Sequence, residues 1–268
     1  MLVVTRGDLL LDVIVRPDEP LAPGADANAA TRTGAGGQAA NVAAWVAALG
    51  ERSRCVARRG DDPPGVWLTA ELTSRGVELL GPAEGRNGVV VSLVAPGGER
   101  TMASDRGTAT LLEPDDLDPD WFACDCLHIS GYSLVSTPID AAAARAAELA
   151  HANGARVSVD LSAWTRIRSH GAARFTEQLE ALAPDIVFGN EVEWDELGPV
   201  GGTRVVKRGA EGFDVVRGDA VERCQAPDVS VVDTTGAGDA LAAGFLVGGA
   251  TLAAEAAARC VAQVGAMP

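Results

Sequence analysis

The chain has 268 residues, of which 47% are hydrophobic and 22% charged, with 37 acidic side chains against 22 basic ones and a formal net charge of −15. That length buries a full core, and the composition excludes a disordered or fibrous chain. Strong acidity with no basic stripe excludes sequence-independent grip on a nucleic-acid backbone.

Residues 2–5 and 9–15 alternate apolar clusters with aspartates, as expected of a core strand that ends in a polar corner at Asp12. Read alone, Asp12 is a strand-end or turn residue; its carboxylate can also accept two hydroxyl hydrogen bonds. The N-terminal run is broken by Arg6, Asp8 and Asp12 and lacks the basic region and cleavage site of a signal peptide, and no apolar run approaches a membrane span. A cytoplasmic protein without a membrane partner is expected. From residue 17 to 33 the chain turns to Pro, Gly, Asp, Ala and Thr, which fits loop and short, half-exposed strands. Glycines then open residues 33–50 and a helix closes them. Gly34, Gly36 and Ala39 carry the spacing of a dinucleotide fingerprint, but no apolar strand leads into them.

Residues 53–58 read as a strand and 60–65 as a turn into a helix ending at Gly76. Residues 89–94 and 100–102 read as a hairpin around 95–99, which together with 12–33 makes a small sheet projecting from the core. Short apolar segments at 126–130, 156–161 and 185–188 alternate with helical stretches at 138–152 and 172–183, the pattern of parallel strands joined by right-handed helical crossovers. Cys124 and Cys126 share one strand face, yet no second pair or histidine follows at metal-site spacing; the five cysteines read as small buried hydrophobes in a reducing compartment. His128 reads as a strand histidine, and His151 and His170 as surface residues. Asp160 ends a strand, where ligands of parallel sheets collect. Asn190 and Glu193 read as a helix cap with an acidic first turn, or as an amide and carboxylate able to hold the hydration shell of a hard cation. Lys207 and Arg208 close the next strand on opposite faces, so at most one points inward.

The most informative stretch is 229–247, VSVVDTTGAGDALAAGFLV. It reads as a short β-branched strand, a turn at Gly236, Ala237 and Gly238, and an alanine-rich helix starting at Asp239 or just after it. Two glycines flanking an alanine let the backbone approach a ligand, and the first-turn N–H groups of a helix can be donated to an anion. Asp239 is also where an ordinary cap would place an aspartate.

This stretch resembles the signature of the ribokinase-like (PfkB) carbohydrate and nucleoside kinases, Asp-Thr-x-Gly-Ala-Gly-Asp, at Asp233, Thr234, Gly236, Ala237, Gly238 and Asp239. Gly36, Gly37, Asn41 and Ala43 resemble the family's Gly-Gly-x-x-x-Asn-x-Ala motif, Asn190 and Glu193 its Asn-x-x-Glu motif, and Gly209 and Gly212 its Gly-Ala-x-Gly turn; Gly60, Asp62 and Gly65 are weaker matches. The resemblance covers essentially the whole chain. It implies a three-layer α/β/α ribokinase-like fold with a mostly parallel central sheet, residues 1–11, 34–87 and 104–268 forming the core and 12–33 and 88–103 a small β lid. It implies ATP-dependent transfer of a phosphoryl group to a hydroxyl of a small carbohydrate or nucleoside. Asp239 is then the catalytic base and Gly236, Ala237 and Gly238 the anion hole. Asp12, Gly36, Gly37, Asn41 and Arg106 bind the acceptor; Asn190, Lys207, Gly209, Gly212 and Thr234 serve the nucleotide. Glu193 holds Mg²⁺ through water, and the resemblance leaves room for a monovalent cation such as K⁺ and for a monomer or homodimer. Ala109 stands where several relatives have asparagine, which blurs the identity of the sugar. The rival readings are a dinucleotide oxidoreductase at Gly34–Ala39 and a binding module that keeps the pocket without catalysis. No P-loop is present.

Overall fold

The computed structural model describes residues 1–95, 100–162, 164–198 and 200–268. In chain order its elements are β1 (Leu2–Arg6), β2 (Leu10–Pro17), β3 (Ala29–Gly36), α1 (Gln38–Ala48), β4 (Arg52–Val56), α2 (Pro63–Ser74) and β5 (Val77–Leu80). They continue with β6 (Asn87–Val94), β7 (Arg100–Gly107), β8 (Cys126–Ser130), α3 (Ile139–Ala152), β9 (Arg156–Asp160), α4 (Trp164–His170) and α5 (Ala172–Ala181). The chain closes with β10 (Ile186–Asn190), α6 (Glu191–Leu197), β11 (Thr203–Lys207), β12 (Phe213–Arg217), β13 (Ala220–Cys224) and α7 (Ala237–Val261).

The main sheet has nine strands in the order β13-β12-β11-β10-β9-β8-β1-β4-β5. All neighbours from β11 to β5 pair in parallel, and β12 and β13 add an antiparallel edge. The central parallel strands β1, β8, β9 and β10 are nearly continuous runs of buried residues because helices cover both faces. On one face, α3, α5 and α6 enclose a core with Phe122, Phe175, Leu179 and Trp194. On the other, α1 and α7 pack Val42, Trp45 and Val46 against Phe188, Leu241 and Phe245. This is the expected three-layer α/β/α architecture.

A second sheet, ordered β3-β2-β6-β7, stands beside the carboxyl ends of the main strands, with β2 and β6 parallel and the outer pairs antiparallel. Its strands occupy 10–17, 29–36, 87–94 and 100–107. Alternation along each strand turns Leu10, Asp12 and Ile14, with Ser92 and Arg106, toward one cavity. The hairpin over 89–102 forms as β6 and β7; residues 96–99 of its expected turn lie outside the described residues.

Three expectations are corrected. Residues 229–232 form no strand: Val231 and Val232 are exposed, and the segment runs along the end of α7, Val232 N–H donating to Val261 O at 2.7 Å. Their β-branched side chains line cavities instead of a sheet core, a distinction that composition does not carry. The helix begins at Ala237, capped by Gly236, so Asp239 sits within its first turn. Finally, α7 is long and apolar enough by length and composition to cross a membrane, contrary to the sequence reading. Its backbone leaves helical geometry at Gly248 and Gly249, and its apolar side chains pack into the core against α1.

Candidate active site

Gly236 has a left-handed backbone (φ 78°), and a Cβ there would lie 2.6 Å from the Cα of Ala266. Only glycine can make this turn against the C-terminal segment. The turn aims the open end of α7 between two cavities. The first, about 700 Å³, is walled by the small sheet and contains Asp8, Asp12, Gly37, Asn41, Arg106 and Asp239. The second, about 550 Å³, is lined by Lys207, Gly209, Gly212, Ala237, Gly238 and the alanines of α7. Thr234 borders both. The unpaired first-turn N–H groups of α7 and its dipole make the junction attractive to an anion.

Asp239 lies half-buried on the floor of the first cavity, where its Oδ2 accepts a 2.7 Å hydrogen bond from Asn41 Nδ2. Burial raises its pKa from 3.8 to about 7. The Asn41 hydrogen bond and Lys207 oppose that rise, while Asp160 and Asp12 add to it. A carboxyl poised near neutrality is suited to proton transfer. Asn41 is itself buried in α1, so the amide the sequence assigned to the acceptor is held against the base.

Asp12 lies in β2, directly opposite Gly34 of β3. Gly37 is required sterically, since a Cβ there would meet the Asp8 carbonyl oxygen at 2.4 Å with φ 98° besides, whereas a Cβ on Gly36 would meet the Asp12 carboxylate at 2.1 Å and displace that side chain. We expect Gly37→Ala to destabilise the fold by roughly 2 kcal/mol or more, through strain and overpacking combined, read as a lowered denaturant midpoint.

Lys207 and Arg208 diverge as strand geometry requires. Lys207 Nζ donates to Asp160 Oδ2 at 2.7 Å and Oδ1 at 3.0 Å, and it would lie 3.3 Å from a Cβ on Gly238. Arg208 turns away to Asp214 and Glu191. Burial alone pulls the Lys207 ammonium down, but Asp160, Glu193 and Asp239 together hold it above the ordinary lysine value. Asn190 and Glu193 form a reciprocal capping box, Asn190 Oδ1 accepting from Glu193 N–H at 2.9 Å and Glu193 Oε2 from Asn190 N–H at 2.8 Å. Glu193 is nevertheless buried and its pKa is raised, chiefly by burial and against the pull of Lys207. The cap fixes one carboxylate oxygen. Among the described residues no three His, Cys, Asp or Glu side chains cluster as a metal cage.

Several residues of the cavity escaped the sequence reading. Asp8 is buried and ion-paired to Arg106, whose guanidinium stacks on Tyr132 at 3.8 Å. Ser162, in the left-handed region at φ 76°, donates to Gln38 Oε1 at 2.6 Å across the mouth of β9. A non-glycine residue there is a strained position of the kind found at binding sites. Its only sequence signal is its place just after a strand that ends in Asp160.

A three-layer core with a small sheet over a carboxylate and an anion-attracting turn defines a ribokinase-like fold. The chain belongs to the pfkB family of carbohydrate kinases, whose family model matches residues 2–267. ATP-dependent phosphotransfer to a hydroxyl of a small carbohydrate or nucleoside comes with that membership. The chain is 32% identical over 259 residues to an ATP-dependent ribose-1-phosphate kinase of Halopiger xanaduensis, covering 91% of this chain and 83% of that one. It is 29% identical to a fructokinase of Escherichia coli over 90% of this chain and 82% of that one. Adenosine kinase from Sinorhizobium meliloti superposes with a TM-score of 0.88 at 28% identity, covering 99% of this chain and 95% of its own. The dinucleotide reading has no support in this fold: the strand entering Gly36 is the edge strand β3 of the small sheet.

Proposed function

We propose that the protein transfers the γ-phosphoryl group of ATP to a hydroxyl of a small sugar, with Asp239 as general base. The observation that carries this reading is the position of Asp239, held by Asn41 on the floor of one cavity and adjoining the glycine turn that opens on the other. The acceptor lies in the first cavity, its hydroxyls received by Asp12 and neighbouring oxygens. The nucleotide lies in the second, along Thr234, Gly209 and Gly212. Asp239 accepts the proton as the acceptor oxygen attacks phosphorus, and the backbone N–H groups of Gly236, Ala237 and Gly238 meet the charge on the transferring group. Lys207, fixed by Asp160, adds positive charge beside Gly238.

Glu193 fits a Mg²⁺ ion held through water, because an ion of this kind keeps much of its hydration and shares few carboxylates with nucleotide phosphates. Asn190 orients that carboxylate. When bound, the ion neutralises phosphate charge.

Sugar is favoured over nucleoside by the acceptor cavity. Tyr132 is its one aromatic lining residue among those described, and the Arg106 guanidinium stacked on that ring competes with a nucleobase for it. The relatives are divided, their names including fructokinase and adenosine kinase. Incubation with Mg-ATP and equimolar sugars and nucleosides, followed by ³¹P NMR, should show sugar phosphate esters; nucleoside monophosphates as the principal product would reverse the assignment.

The base assignment carries its own pH dependence. Only the ionised carboxylate can accept the proton, so kcat/KM should rise about tenfold per pH unit up to a limb near 7 and level above it. The Asn41 hydrogen bond favours the ionised form, so Asn41→Leu should move this limb to higher pH. An unmoved limb would separate Asn41 from the base. Asp12→Ala should raise the acceptor KM about tenfold or more with kcat for the same acceptor less affected.

A further inference from the structure

The glycine turn that offers its N–H groups to the transferring charge is braced from outside itself. Within it, Asp233 Oδ1 accepts from Thr235 N–H at 2.9 Å and from Thr235 Oγ1 at 2.6 Å. Further restraints come from the last turn of α7 and the segment after it. Gly265 N–H donates to Asp233 Oδ2 at 3.1 Å, and the Cys260 thiol donates to Thr235 O at 3.3 Å. Ala266 packs so closely on Gly236 that a Cβ there would lie 2.6 Å from the Ala266 Cα. The bracing segment is fixed in turn to α1. Trp45, 1% exposed, donates its indole N–H to Ala266 O at 2.8 Å, and Met267 is buried among Leu9, Ala39 and Ala43. Among the described residues the other donor near Ala266 O is the Cys260 thiol at 3.9 Å, which already serves Thr235.

Resting on the phosphotransfer reading, we infer that Trp45 is a positioning residue: through Ala266, its indole N–H sets where the anion hole at 236–238 stands relative to Asp239. Trp45 follows Asn41 by four residues, about one helical turn, so a single face of α1 carries both. Asn41 holds the base, and Trp45 holds the residue against which the glycine turn is built. One rigid helix therefore fixes the proton acceptor and the charge-stabilising donors in a common frame. Such donors lower the barrier because they are in place before the charge develops. A buried carbonyl that loses its donor is costly, so without the indole N–H Ala266 shifts toward another donor and Gly236 moves with it. A displacement of this kind acts on the chemical step, where small misplacements are expensive, and leaves the walls that bind ATP and acceptor in the ground state.

The test compares the full chain with Trp45→Phe and with single-site replacement of Trp45 by benzothienylalanine, which keeps the ring shape and lacks the N–H. Ser53→Ala is the control: it removes a buried hydrogen bond of the same kind, from Ser53 Oγ to Ala43 O at 2.8 Å, that joins α1 to β4 and not to the turn. Both Trp45 replacements should lower kcat about tenfold or more, with KM for ATP and acceptor within about threefold of wild type. The pH limb near 7 should stay in place, because Asn41 and Asp239 keep their bond. Amide hydrogen exchange over residues 233–240, read by mass spectrometry, should quicken about tenfold in both replacements and stay unchanged in Ser53→Ala. Wild-type exchange over 233–240 in the benzothienylalanine protein overturns the brace, whether or not an acceptor has been found. Quickened exchange with unchanged kcat, or a kcat loss equalled by Ser53→Ala, overturns the positioning role. Absence of acceptor-dependent ADP release in the wild type would instead count against phosphotransfer and leave the brace to be decided by exchange.

Discussion

Asp239→Asn should lower kcat by about 10²–10⁴, the range associated with a positioned general base, while leaving nucleotide affinity and fold essentially intact. The asparagine keeps the shape and can still pair with Asn41, but it cannot take the proton. The same substitution has a stability signature of defined sign. A carboxyl whose pKa rises from 3.8 to about 7 on folding binds its proton more tightly in the folded chain. Its contribution therefore turns progressively unfavourable between about pH 4 and pH 7 and stays so above. Asp239→Asn should raise the melting temperature relative to wild type at pH 8 and lose that advantage near pH 4. A variant that is inactive and also less stable at pH 8 would point to a structural role for Asp239.

The second large effect belongs to Asp160 and Lys207. Asp160 is 1% exposed and receives both short contacts from Lys207, joining the ends of β9 and β11 across β10. Removing one partner leaves a buried charge uncompensated, so Lys207→Met should cost about 3–5 kcal/mol of unfolding free energy, measured by urea denaturation. Replacing both, as Lys207→Met with Asp160→Leu, should recover much of that loss, because a packed apolar pair avoids the desolvation of two ions. Activity should stay low in the double variant, since the positive charge beside Gly238 is still missing. If the double variant were active, Lys207 would be a structural residue only.

Much of this site is legible in the sequence. Asp239, Asn41 and the glycine turn stand in contiguous motifs, and the alternation of strand faces was enough to set Lys207 and Arg208 apart. The partners reached through tertiary packing were hidden. Nothing local tells that Lys207 meets Asp160, 47 residues earlier, or that Asn41 reaches Asp239, 198 residues later. Asp8, Tyr132 and Ser162 carry no pattern of their own; the fold gathers them where the small sheet meets the strand ends. The valines at 229–232 show the opposite failure. β-branched composition marks a half-buried extended surface in general, and here that surface belongs to cavities and not to a sheet. Asn190 and Glu193 combine both lessons, since the cap geometry expected of such a spacing is present and also holds the carboxylate beside Lys207.

The most direct test of the account is ADP release by the purified protein with Mg-ATP, followed by a coupled assay in the presence and absence of a panel of sugars, sugar acids, sugar phosphates and nucleosides. The account predicts turnover that depends on a sugar-type acceptor, rises with pH to a limb near 7, and is lost in Asp239→Asn. ADP release that ignores the acceptor, or that persists in Asp239→Asn at a rate close to wild type, would contradict it.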